Sequence, residues 1–326
     1  MGKFSKAEAR QAKLKVGEYG EQGSGKTLTA LLFAEWLAKK EGKRVAYIDT
    51  ERGTDFYATA IKERAIHPGA FDFDALYTRS LSEAVEALEQ IDPAVHGVVV
   101  IDSVTHLWEA AKEAYRGKLM STGGIPVQAW GAIKKPYKRL MSLFVDGDFH
   151  GILCGREGVM MEDNADGEAK VVGKRMKAEG ETPYEPHILL RFHPKRTDDG
   201  GYMTSVFCEK DRSGILTGKT FDNPTPAMLE PIYGHLTKGE QAKIGSLDDA
   251  SEKDADAADA KEETAKAERQ AIYEQIRAAL LGAQDGIALK AAWELTKGKK
   301  TKLSELYEPL EALKDGRKAE LIARAA

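Results

Sequence analysis

Apolar positions fall in short β-branched and aromatic runs that alternate with segments of helical spacing. Residues 14–19 read as a short strand, and 28–40 as a helix with Leu28, Leu31, Leu32, Trp36 and Leu37 on its apolar side. A buried-type strand over 44–49 follows, then a helix to about Arg64, a short strand over 73–78 and a helix over 82–90. Val98, Val99, Val100 and Ile101 form a continuous run ending at Asp102, the pattern of a strand covered on both faces. Beyond it the spacing predicts a helix over 104–116, a glycine-containing loop over 117–126, a helix over 136–145 and a strand over 149–155. A long polar stretch, 161–183, precedes two strands, 187–193 and 202–209, joined as a hairpin through Asp198, Asp199, Gly200 and Gly201. Alternating strands and helices closed by a hairpin predict an α/β fold, a doubly wound and mostly parallel sheet.

The pattern changes at about Leu247. Residues 248–268 mix Ala, Asp, Glu and Lys without an aromatic, which fits a solvated linker or an exposed helix. Ile272, Ile276, Leu280 and Leu281 then recur at helical spacing, and Leu289, Trp293, Leu303, Leu306, Leu310 and Leu313 suggest two further short helices. The expected division is a basic N-terminal segment over 1–13, a core over 14–245, an acidic linker over 246–268 and a small all-α domain over 269–326.

The formal net charge of −4 conceals this division. Residues 246–268 carry nine acids against three bases, and 269–326 eleven bases against eight acids. Overall acidity therefore does not exclude nucleic acid as a partner. No apolar run approaches the roughly 20 residues that cross a bilayer, and no signal-like segment opens the chain, so a cytoplasmic protein is expected. Cys154 and Cys208 each lie in an apolar run and read as buried reduced thiols. The seven histidines show no metal-ligand spacing and read as structural.

Gly20-Glu21-Gln22-Gly23-Ser24-Gly25-Lys26-Thr27 is the G-x-x-x-x-G-K-T pattern, placed between a predicted strand and a predicted helix. Glycines let successive N–H groups curl into one anion nest, and the helix, beginning near Leu28, adds its positive end. Lys26 can reach β- and γ-phosphates, and the Thr27 hydroxyl can hold Mg²⁺. Asp102, at the end of its β-branched run, has the form of a Walker B carboxylate facing that metal; the alternative is a helix-capping Asp. ATP and Mg²⁺ are the cofactors these motifs imply.

With these motifs placed, the chain resembles the RecA-like ATPase superfamily over about 14–220. Ala46-Tyr47-Ile48-Asp49-Thr50-Glu51 resembles the segment whose glutamate activates water, and Val99-Val100-Ile101-Asp102-Ser103-Val104 resembles its Walker B strand. The resemblance implies Glu51 as catalytic base, against a helix N-terminal acid. It sets Arg156 where relatives place a γ-phosphate sensor, against simple pairing with Glu157 or another acid. It puts Asp55 and Tyr57 near adenine-contacting positions. Lys210-Asp211-Arg212-Ser213-Gly214 resembles the K-x-R-x-G tract of RadA and DnaB-type helicases, whose Lys and Arg reach a neighbouring subunit's γ-phosphate. A compact core, acidic linker and helical tail look most similar to phage-type single-strand annealing ATPases. The loops that hold DNA in RecA do not match in sequence.

Those resemblances imply a homo-oligomeric ATPase, a ring or filament with shared active sites, acting on single-stranded DNA in recombination by annealing. In a phage-encoded protein the compartment would be the host cytoplasm. The tail is expected to meet a partner such as a single-strand-binding protein. Candidate DNA contacts are Lys134, Lys135, Lys138 and Arg139, with Trp130 and Tyr137 as stacking rings, and Lys174, Arg175 and Lys177 in a mobile loop. Phe4 and Ala7 fit an F-x-x-A subunit-docking pattern. The rival readings are a helicase or helicase loader of the same fold, and an annealing scaffold in which nucleotide only stabilises assembly.

Overall fold

Every residue of the run 98–101 is fully buried, because helices cover both faces of the sheet it belongs to. A computed structural model describes residues 12–121, 123–163, 169–237 and 247–325. In chain order the core comprises β1 (Lys15–Gly20), α1 (Lys26–Glu41), β2 (Arg44–Asp49), β3 (Asp74–Tyr77), α2 (Leu81–Glu89), β4 (His96–Asp102) and α3 (Val104–Glu113). It continues with α4 (Trp130–Asp146), β5 (His150–Asp163), β6 (Ala169–Met176), β7 (Ile188–Arg196), β8 (Tyr202–Asp211), β9 (Thr220–Asp222) and α5 (Glu230–Leu236).

The sheet order is β3-β2-β4-β5-β1-β7-β8-β9, with β6 paired to β5 outside this path. Neighbours from β3 to β7 run parallel, and β8 and β9 close the sheet antiparallel, as the doubly wound expectation requires. Val98 and Val100 pack with α1 residues Leu31, Phe33 and Leu37 on one face. Val99 and Ile101 pack with Leu107, Tyr137 and Phe144 on the other. Each such side chain contributes about 1.5–3 kcal/mol on burial. Because β1, β2, β4 and β5 are parallel, their carboxyl ends meet along one edge, where ligands bind in open α/β sheets.

Three expectations are corrected. The segment after β2 holds only a short 3₁₀ turn, Thr54–Phe56, instead of a helix to Arg64. Asp49 draws the backbone N–H groups of Glu51, Arg52 and Thr54 onto its own carboxylate, at 2.7–3.1 Å, and bends the chain. The polar stretch 161–183 is not one loop, since β6 pairs antiparallel with an extended β5, from Glu157↔Met176 to Asp163↔Ala169. Lys174 and Arg175 therefore stand on a strand of a hairpin rather than in a mobile loop. Helix α4 starts at Trp130 and carries Pro136 in its interior. Packing of Ile133, Tyr137, Leu140 and Phe144 into the core offsets the lost backbone donor. Of the two readings of the acidic stretch, the helix is the one observed, in α6 (Leu247–Gly282), as its content of Ala, Glu and Lys favours.

The chain divides into units 1–244 and 245–326. In the second, α6 is joined by α7 (Gly286–Glu294), α8 (Lys300–Leu303) and α9 (Tyr307–Ala325). Ile276, Leu280, Leu289, Leu303 and Leu310 form its own apolar core. The F-x-x-A segment lies outside the described residues, as does most of 1–13.

Candidate functional site

The glycine loop turns directly from β1 into α1. Gly20 passes so close to β7 that a Cβ would fall 2.1 Å from the Phe192 carbonyl oxygen. Gly25 caps α1 at φ 90°, and a Cβ there would meet Thr204 Oγ1 at 2.3 Å. No acidic residue occupies the first turn of α1, so the positive end of its dipole is left for an anion. Lys26 Nζ folds over the loop and donates to the carbonyl oxygens of Glu21 at 2.8 Å and Gly20 at 3.1 Å.

A cavity of about 680 Å³ opens here, lined by residues 20–28 with Glu51, Tyr57, Asp102, Ser103, Arg156 and Glu157. Thr27 Oγ1 donates to Asp102 Oδ2 at 2.7 Å, and the Tyr47 hydroxyl donates to the same oxygen at 3.0 Å. Burial pushes the Asp102 carboxyl above the usual carboxylate range, and the nearby Glu51 charge adds to the rise. An oxygen-only pair of this kind, desolvated and beside an anion nest, fits a hard divalent cation such as Mg²⁺. Near it Glu18 is fully buried with neither carboxylate oxygen hydrogen-bonded among the described residues, and desolvation raises its pKa well above the ordinary value.

Glu51 leaves β2 and faces Arg156 from β5. Arg156 donates to Glu51 Oε1 from Nη2 at 2.9 Å and from Nε at 3.1 Å. His106 Nε2 lies 3.9 Å from the same oxygen. The pairing alternative for Arg156 thus holds, with Glu51 instead of Glu157 as the partner. Glu157 is taken by Arg191 at 3.0 Å and by Lys174 of the hairpin, and Lys174 also lies 3.6 Å from Glu21 of the glycine loop. Tyr57 lines the cavity, with Arg64 stacked 4.9 Å from its ring. Asp55 does not line it, and accepts from the Tyr77 hydroxyl at 2.8 Å.

Lys210 and Arg212 stand at the other end of the sheet. Asp211, between them, is opposite Ile188, which is opposite Val16 near the start of β1. The glycine loop begins at Gly20, four residues on, or about 13 Å along a strand. Both cations meet the same turn: Lys210 reaches the carbonyl oxygens of Tyr184 and Pro186, and Arg212 those of Tyr184 and Glu185.

The basic face of α4 is less free than its sequence suggests. Lys134 pairs with Glu179 at 2.7 Å and Arg139 with Glu89 at 3.2 Å, leaving Lys135 and Lys138 exposed. Tyr137 is buried, with its hydroxyl on Thr182 and its ring edge-on to Trp108, and Trp130 also packs on Trp108. Tyr137 belongs to the core, so the stacking role expected of it is withdrawn, whereas Trp130 is half-buried against that core. Sequence reading missed Tyr47, Thr50 and His106. Only the Thr50–Glu51 adjacency signalled any of them, since His106 enters from α3.

Strand, glycine loop, helix and the buried Asp102 carboxylate around one cavity define a P-loop nucleotide-binding protein on a doubly wound, mostly parallel α/β sheet. The family model described as "AAA domain" matches residues 12–204, and the chain belongs to that family. Among solved structures it is similar to a KaiC-like protein from the hyperthermophilic archaeon Pyrococcus horikoshii OT3. That match has 13% identity and a TM-score of 0.41, and covers 64% of this chain and 84% of the other. No curated protein matches the chain. Among the described residues, no helix is long and apolar enough to cross a membrane.

Proposed function

We propose that the protein hydrolyses ATP as a homo-oligomer and acts on single-stranded DNA, promoting annealing in recombination. The observation that carries the ATPase reading is the convergence of Lys26, Thr27, Asp102, Glu51 and Arg156 on one cavity. The glycine-loop N–H groups and Lys26 hold the phosphates, and Tyr57 offers a ring to the base. Thr27 and Asp102 would hold Mg²⁺, which neutralises charge on the phosphate oxygens when bound. Glu51 orients a water and accepts its proton through Oε2, since its contacts among the described residues fall on Oε1. Arg156, joined to Glu51, stands where it can meet the terminal phosphate.

Charge developing on that phosphate calls for further cations. Lys210 and Arg212 are too far along the sheet to serve their own cavity, which supports a role at a neighbour's. For DNA, support comes from the β5–β6 hairpin. It carries exposed Val159, Met160, Val171 and Val172 beside exposed Lys170 and Arg175, an apolar and cationic surface suited to unpaired bases and phosphates. The test is the ATPase rate alone, with single-stranded DNA and with duplex DNA. Stimulation by single strands and annealing of complementary oligonucleotides are expected. Turnover with no DNA response, or annealing untouched by Lys26→Ala, would overturn the coupling.

A further inference from the structure

Glu51 is not held by Arg156 alone. The Thr50 hydroxyl accepts the Ser103 backbone N–H at 2.8 Å, and its oxygen lies 2.7 Å from His106 Nδ1. Its other acceptor, the Ser103 carbonyl, is at 3.4 Å, so the hydroxyl proton goes to the ring. With Nδ1 accepting from Thr50, the proton of the neutral imidazole is on Nε2, which lies 3.9 Å from Glu51 Oε1. The ring is largely buried, and desolvation with the nearby Arg156 and Arg79 charges lowers its pKa below the usual histidine value, against the opposing pull of Glu51. The neutral form is thus the one present at pH 7.

We propose that His106 is a positioning residue for Glu51. Its Nε2–H supplies a second anchor on Oε1, and the Ser103–Thr50–His106 chain ties that anchor to the ends of β2 and β4. With Oε1 shared between Arg156 and His106, Oε2 is left for the attacking water. The separation exceeds a hydrogen bond, and such contacts tighten when substrate fills the site. When Arg156 turns from Glu51 toward a phosphate, His106 keeps the carboxylate in place. The inference rests on Glu51 being the base.

Two isosteric substitutions separate a structural role from this one. In His106→Asn the amide oxygen can still take the Thr50 proton, but nothing reaches Glu51. In His106→Gln the amide nitrogen can occupy the place of Nε2. Misplacing a catalytic group by about 1 Å costs about 10²-fold, so kcat of His106→Asn should fall by up to that factor, with KM and the nucleotide Kd within twofold of wild type. His106→Gln should recover most of the loss. Thr50→Val, which removes the group that fixes the tautomer, should lower kcat in the same way at unchanged Kd.

His106→Asn turning over as fast as His106→Gln or wild type would overturn the inference. So would an unimpaired Thr50→Val. Glu51→Gln, run alongside, separates the two levels: if it is inactive while His106→Asn is normal, only the positioning role fails. If Glu51→Gln is fully active, the assignment of the base fails and this inference with it.

Discussion

Glu51 at the end of β2 and Arg156 on β5 form an ion pair 2.9 Å long, and both line the nucleotide cavity. Their side chains are 35% and 53% exposed, so the pair contributes little to stability. On the function proposed above, the pair would set the base and a cation for the terminal phosphate within one contact of each other. Glu51→Gln should bind ATP as wild type and lose about 10²–10⁴-fold in kcat, the usual range for a general base. Lys26→Ala should instead weaken nucleotide binding itself. Equilibrium binding of a fluorescent ATP analogue beside steady-state turnover distinguishes the two. A Glu51→Gln protein that turns over normally would remove Glu51 from the mechanism.

A second prediction concerns acid stability. Leu14 N–H donates to His150 Nδ1 at 2.9 Å, and His150 Nε2–H faces Glu41 Oε1 at 2.9 Å, so the neutral ring bridges the start of β1 to α1. Burial lowers its pKa from 6.5 to about 4. A lowered folded-state pKa means that the unfolded chain binds more protons between these values, so stability rises with pH across that window. The contribution is fully present above pH 6.5 and is lost as pH falls toward 4, on the order of 3 kcal/mol. Urea midpoints measured across that range should fall steeply in wild type and less in His150→Asn. Parallel curves for the two proteins would show that another group carries the acid sensitivity.

Local chemistry made the nucleotide half of the site legible in the sequence. Lys26, Thr27 and Asp102 belong to patterns whose spacing is dictated by phosphate geometry and by a strand buried on both faces. Legibility ended where long-range pairing decides. Residues 169–176 mix Val171, Val172 and Met176 irregularly with Lys170, Gly173, Lys174 and Arg175, and they form a strand because β5 extends to meet them. Tyr137 lies beside Lys138 in sequence, but helical spacing turns the ring inward and leaves the lysine outward. His106 has no sequence neighbour that marks it, because Thr50, its partner, is 56 residues away.

The hairpin cations are not equivalent, and a third prediction follows from their partners. Lys174 is committed to Glu157 and Glu21, and Lys177 lies 3.6 Å from Glu109, whereas Arg175 is exposed on the strand between them. Arg175→Ala should therefore weaken single-stranded DNA binding most and lower the salt slope by about 0.7, one phosphate contact. Lys174→Ala should act chiefly on nucleotide turnover through the glycine loop. Fluorescence anisotropy with an oligonucleotide at several salt concentrations reads the first effect. An unchanged slope in Arg175→Ala would move the DNA contact away from the hairpin.

The last prediction concerns sharing of the site between subunits. Within one chain, register sets Lys210 and Arg212 level with the start of β1, two strands across, while the glycine loop follows its end. Neither side chain lines the cavity, and both rest on the carbonyl oxygens of residues 184–186. Burial and the adjacent Arg212 charge lower the Lys210 pKa, and a phosphate from another subunit would relieve that repulsion. Arg212→Ala should bind ATP normally and hydrolyse it about 10³-fold more slowly, the lower range for an arginine supplied in trans. The rate per wild-type subunit should rise with protein concentration as assemblies form. Mixing Arg212→Ala with Lys26→Ala gives the decisive measurement, because each lacks a different half of the site. At an interface where the Lys26→Ala subunit offers its intact Arg212 to the cavity of the Arg212→Ala subunit, both halves are present. Mixed assemblies should hydrolyse ATP when neither variant does alone, at about a quarter of the interfaces for equal, random mixing. Co-assembly shown by light scattering without any recovered turnover would mean that these cations do not complete a neighbour's site.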